Sequence, residues 1–225
     1  MHIEPGLVDA GKIGLSYVTA AGAGAFALRK AYLDAKDRGI VSLAARAVVA
    51  TALVFCFFEV LPHYPVGVSE VHLILGSTLF LLFGMAPAAI GLALGLLAQG
   101  LLFAPFDLPQ FGMNVTTLLV PLFALGALSR KIIAPNTPYV ELKYRQALAL
   151  STTYQAGIVA WVGFWALYGQ GFTAANVQSI VTFGGAYMLV ILLEPLVDLA
   201  VLAGAKTLHG LRGSGLVTPR LYEPA

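Results

Sequence analysis

Apolar residues run along this chain in blocks too long for a soluble fold. Three stretches carry no Asp, Glu, Lys or Arg: Val71 to Phe106, Leu108 to Ser129, and Gln146 to Leu193. A membrane helix needs about 20 predominantly apolar residues, so the first and third each have room for two spans. Turn-forming residues cut the blocks. Pro62 and Pro65, Gly84 and Pro87, Pro105 and Pro109, and Gly169-Gln170-Gly171 all fall between apolar runs. The pattern predicts an all-α polytopic transmembrane helical bundle of about seven spans, at 12–32, 41–61, 69–83, 87–104, 114–132, 144–168 and 175–203. With no long polar insert between them, the spans form one domain over residues 1–205, and 206–225 reads as a tail.

Composition agrees. Hydrophobic residues make up 59% of the chain and charged ones 11%, with a mean hydropathy of +0.85, whereas a soluble domain is roughly a quarter charged. A net charge of +2 is too small to predict nucleic-acid binding. The single cysteine, Cys56, cannot form an internal disulfide. The N-terminus lacks the basic region of a signal peptide, and Glu4 and Asp9 precede its first apolar stretch, so no cleavage is expected.

The basic residues set an orientation. Arg29, Lys30, Lys36, Arg38 and Arg46 surround the first connection. Arg130, Lys131, Lys143 and Arg145 surround the fifth, and Lys206, Arg212 and Arg220 lie in the tail. Only Lys12 falls on the other side. The positive-inside rule makes the basic face cytoplasmic, which puts the N-terminus outside and the C-terminus in the cytoplasm. His2, His63 and His72 then lie toward the outer half, and only His209 lies on the inner side.

The start of the chain, Met1-His2-Ile3-Glu4-Pro5-Gly6, brings three nitrogens together: the Met1 amine, the His2 amide and the His2 ring Nδ1. Fused chelate rings through such atoms favour a planar nitrogen set suited to Ni(II) or Cu(II) and open to Co(II). Bulky His2 also argues that Met1 is retained. His72 is a candidate fourth donor, because ionisable residues at span ends usually face an interior; a satisfied histidine at headgroup level is the plainer reading. His63, beside Pro62, reads as a surface residue. Asn114 is a candidate helix cap or a residue orienting a ligand from outside the coordination shell.

Glu194 and Asp198, four apart on the last span, are expected to pair with basic side chains or to contact a partner at the inner surface, a cation relay being the alternative. The run Ala20-Ala21-Gly22-Ala23-Gly24-Ala25 offers a small-residue face for close helix packing, inside the chain or against another subunit. Trp161, Trp165 and Tyr168 read as interfacial anchors. No zinc-protease pair, nucleophile elbow or phosphate loop is present, so no enzymatic activity is expected and any transport energy must come from another chain.

Met1-His2-Ile3 with Gly6, Ser69-x-x-His72-Leu73, and Gly112-x-Asn114-Val115 together resemble the substrate-capture membrane subunit of energy-coupling-factor transporters for cobalt and nickel. In that family the N-terminal segment, residues 1–9 here, tucks back into the bundle from the outer face. The resemblance implies that Met1, His2 and His72 hold the metal, supported by Ser69 and Asn114. It implies Ni2+ or Co2+ as transported substrate, with no organic cofactor. It also implies a membrane coupling subunit, ATPase subunits and a small accessory membrane subunit as partners, in the lipid of a bacterial cytoplasmic membrane. Two residues separate Ser69 from His72 where relatives commonly have one, and Leu75-Gly76-Ser77 follows where they have a Gly pair. The competing expectations are a scaffold subunit that keeps the fold without transporting and, more remotely, a membrane metalloenzyme.

Overall fold

The structure, a computed structural model, describes residues 3–211. Among these, seven α-helices follow one another: α1 (Gly14–Arg38), α2 (Ile40–Glu59), α3 (Gly76–Phe83), α4 (Met85–Leu102), α5 (Phe111–Ile132), α6 (Tyr144–Gln170) and α7 (Ala174–Gly210). An antiparallel hairpin of β1 (Tyr64–Val66) and β2 (Ser69–Val71) stands between α2 and α3. Short 3-10 turns at Pro105–Gln110 and Tyr139–Glu141 lead into α5 and α6.

Five elements are long and apolar enough to cross a membrane: α2, α4, α5 with its leading turn, α6 and α7. The chain is therefore a multi-pass helical membrane protein. Helix α1 is long enough, but Gly, Ser, Thr and Tyr dilute its apolar residues before charges begin at Arg29. Helix α3, with 8 residues, is only about 12 Å long, against about 30 Å of hydrocarbon.

The expected third span, 69–83, is where the chain departs most from the sequence reading, and the fold is not purely helical. Ser69–Val71 is a strand and His72 through Leu75 are extended or irregular; only from Gly76 does the chain coil. The cause is local. Gly67, at φ +62°, opens a two-residue turn between the strands, and β-branched Val66 and Val71 suit a pleated backbone. A Cβ on Gly67 would lie 2.2 Å from the Ser179 carbonyl oxygen of α7. Gly67→Ala is thus expected to destabilise the protein by about 2 kcal/mol or more, from the left-handed backbone and the clash together. Thermal unfolding in detergent measures it.

Helices α2 and α4 pack most closely, and two glycines explain it. A Cβ on Gly91 would meet the Ala50 Cβ at 2.5 Å, and one on Gly95 the Val54 Cγ1 at 2.6 Å, the small-residue spacing that lets membrane helices approach. On α1, by contrast, Gly22 and Gly24 face open space, although Ala23 is buried and Ala20 and Ala27 pack on the core. Trp165 is fully buried against Trp161, Phe164 and Tyr168, so it is a core residue and no interfacial anchor.

The two ends of the bundle differ in chemistry. Arg46, near the start of α2, clamps Asp34 of α1 at 2.5 Å and donates to the Phe83 carbonyl at the end of α3 at 2.6 Å. Arg130 and Lys131 occupy the last turn of α5. The hairpin, Phe58 near the end of α2 and Asn114 in the first turns of α5 lie at the opposite end.

Candidate metal centre

The N-terminal segment is built into the bundle. Ile3 is fully buried, and its N–H donates to Asn114 Oδ1 at 2.8 Å. Ile3 also pairs with Ser69 in an antiparallel bridge, and the Glu4 N–H donates to the Val68 carbonyl at 3.2 Å. Ile3 and Glu4 thus lie beside the hairpin, joined to it by one isolated bridge and one further backbone hydrogen bond. Further along, Gly169 at the end of α6 gives the segment room, since a Cβ there would sit 2.0 Å from the Leu7 carbonyl oxygen. Lys12 Nζ donates to the Tyr168 and Gly169 carbonyls at 3.2 and 3.0 Å, capping α6 as a cation at a helix C-terminus does.

Asn114 is 1% exposed and does not cap α5; its side-chain oxygen serves the backbone of Ile3. Ser69 is fully buried on β2. His72 follows three residues later, 1% exposed, on extended chain where a helical position was expected. Its ring is held between Phe58, edge-on at 5.3 Å, and His63, stacked at 4.9 Å with 5° between the planes. The Glu70 carboxylate lies 3.5 Å from His72 Nε2. His63 therefore packs on the His72 ring, half-buried, and is no detached surface residue. Its Nδ1 faces the Leu61 carbonyl at 3.3 Å; a carbonyl only accepts, so Nδ1 carries the hydrogen.

Of the residues singled out in the sequence, Ile3 thus draws Ser69 and Asn114 together, with His72 at the continuation of the same strand. Met1 and His2 lie outside the described residues. Among the described residues no set of three or more His, Cys, Asp or Glu side chains has metal-holding geometry.

Among the described residues, Glu194 and Asp198 do not pair with basic side chains. Both are buried, at 0% and 3% exposure, and both serve α3. Glu194 accepts from the Ile74 N–H and from Gln155 Nε2, and Tyr187 donates to the Gln155 oxygen at 2.9 Å. Asp198 accepts from the Ser77 and Thr78 hydroxyls. The sequence carried a signal for this, two carboxylates one turn apart in an apolar span, but their partners lie 39 to 121 residues away. Below them, burial reinforced by the Asp198 charge pushes the Tyr139 phenol up to about 12, so it remains a neutral hydroxyl over the usable pH range.

Residues 2–208 match the family described as the cobalt uptake substrate-specific transmembrane region, CbiM. The chain belongs to this family. As a CbiM-family protein it is a membrane component for transition-metal uptake, and the similarity extends to solved folds. A structure titled as a truncated transition metal transporter superposes with a TM-score of 0.66 at 20% identity, covering 90% of this chain and 94% of that one. A second, titled as a transition metal transporter, gives 0.66 at 17% identity over 99% and 98%. No curated protein matches the chain significantly.

Proposed function

We propose that this CbiM-family protein captures Ni2+ or Co2+ from outside the cell, as the substrate-binding membrane subunit of an energy-coupling-factor transporter. The donors are the Met1 amine, the His2 amide and ring, and His72; Ser69 and Asn114 hold the arrangement in place. A membrane coupling subunit and ATPases supply the work, with a small accessory membrane subunit alongside, in the bacterial cytoplasmic membrane. The chain crosses seven times, α3 making the third crossing together with the strand and irregular segment that precede it, with the N-terminus outside and the basic end in the cytoplasm. The separation of Arg46, Arg130 and Lys131 from the Asn114 end of the bundle supports that orientation.

One observation carries the reading. Ile3 is buried and antiparallel to β2, opposite Ser69. Because the bridge is antiparallel and Glu4 pairs with Val68, the Ile3 N–H side of the bridge is the side on which β2 leads to Val71 and His72. Consecutive Cα atoms are about 3.8 Å apart, so the two residues ahead of Ile3 have the reach to meet His72.

The test is element analysis of the untagged chain after gentle purification. Bound Ni or Co that falls to background on His2→Ala is the expected result. No metal, together with indifference to His2→Ala, would instead identify a scaffold subunit.

A further inference from the structure

We propose that Glu194 is a positioning residue for the metal site, fixing the height of His72 through the backbone that joins it to α3. This rests on His72 being a ligand, as argued above. Helix α3 begins without a side-chain cap of its own: Leu75, at its N-cap, has no side-chain oxygen and sits in the left-handed region at φ 54°. A leucine is unfavourable there, because its Cβ crowds the following carbonyl. Helix N-terminal N–H groups need acceptors, and inside an apolar bundle water cannot supply them.

Glu194, from α7, holds the backbone just ahead of that helix start. One carboxylate oxygen takes the Ile74 N–H, and the Leu75 N–H adds a second backbone contact. The other oxygen is held by Gln155 of α6, which Tyr187 of α7 orients in turn. A buried carboxylate is tolerable only when so occupied. The segment has no slack on its far side either, since a Cβ on Gly76 would lie 2.2 Å from the Tyr154 ring. The backbone two residues beyond His72 is therefore tied to α6 and α7 by a defined chain of donors and acceptors. Asp198, one turn on, grips the Ser77 and Thr78 hydroxyls, inside α3 and farther from the ligand.

The experiment uses the full, untagged chain in detergent with Ni2+ as probe. It compares wild type, Glu194→Gln, Asp198→Asn and the double variant Glu194→Gln/Leu75→Gly. Glu194→Gln puts an amide opposite the Gln155 amide and weakens the hold on Ile74. It is expected to speed hydrogen exchange over residues 72–76, lower nickel affinity about tenfold and shift the ligand-field spectrum. Glycine adopts the left-handed conformation freely, so Leu75→Gly is expected to restore affinity in the Glu194→Gln background. Asp198→Asn is expected to lower thermal stability and leave the spectrum of bound nickel unchanged. A folded Glu194→Gln protein with wild-type exchange, affinity and spectrum overturns the proposal. A wild type that binds no nickel overturns the ligand reading instead, and exchange over residues 72–76 then decides on its own whether Glu194 holds the segment.

Discussion

One residue added ahead of Met1 is expected to lower nickel affinity more than about 100-fold, beyond the usual loss for an outer-shell partner, with the melting temperature unchanged. The added residue turns the terminal amine into an amide and breaks the first chelate ring. The bundle has no means of absorbing the extension, because Ile3 is buried, bonded to Asn114 at 2.8 Å and paired with Ser69. Stability survives because those anchors begin at Ile3. Calorimetric titration of nickel into the extended and native chains, beside thermal unfolding of each, separates a lost donor from a damaged fold. The free amine, with an unperturbed pKa of about 8, and the His2 amide must release protons to bind. The native chain's affinity should therefore rise with pH, and in the extended chain the contribution of the free amine to that slope should vanish.

Asn114→Leu is the second large effect. The Asn114 side chain gives Ile3 N–H an oxygen acceptor where both residues are buried. Leucine fills similar volume and leaves that donor without its partner, which costs about 1–3 kcal/mol. The strain falls on the N-terminal segment, since α5 keeps its own helical hydrogen bonds. Loss of metal affinity of about 10–100-fold is expected, in the range for removing a group that orients a ligand, with a modest fall in melting temperature. A wild-type affinity in a folded Asn114→Leu protein would mean that the Ile3 anchor is irrelevant to binding.

Much of this architecture was legible in the chain because the bilayer imposes a simple rule. Charge-free runs had to be helices, and the helices found agree with them to within a few residues at most ends, although α1 and α7 run further than expected. The exception is instructive. The segment Ser69 to Phe83 reads as one span by hydropathy, yet its first half is strand and coil because a turn at Gly67 and pairing with Ile3 satisfy its backbone. That pairing joins residues far apart in sequence, which periodicity cannot detect. The same limit hid the partners of Glu194 and Asp198. It also pointed to the small residues of α1 for close packing, while Gly91 and Gly95 of α4 are the ones that let α4 close on α2. Ser69, His72 and Asn114 were recognisable from local motifs, and what joins Ser69 to Asn114 is the backbone of Ile3.

The central claim concerns which atoms touch the ion, and X-ray absorption at the nickel edge reads that directly. Untagged chain loaded with nickel near pH 8, about the pKa of its terminal amine, should show a planar all-nitrogen shell of about four donors with imidazole scattering that weakens in His72→Ala. An oxygen-rich octahedral spectrum, the same with and without His72, would contradict the account.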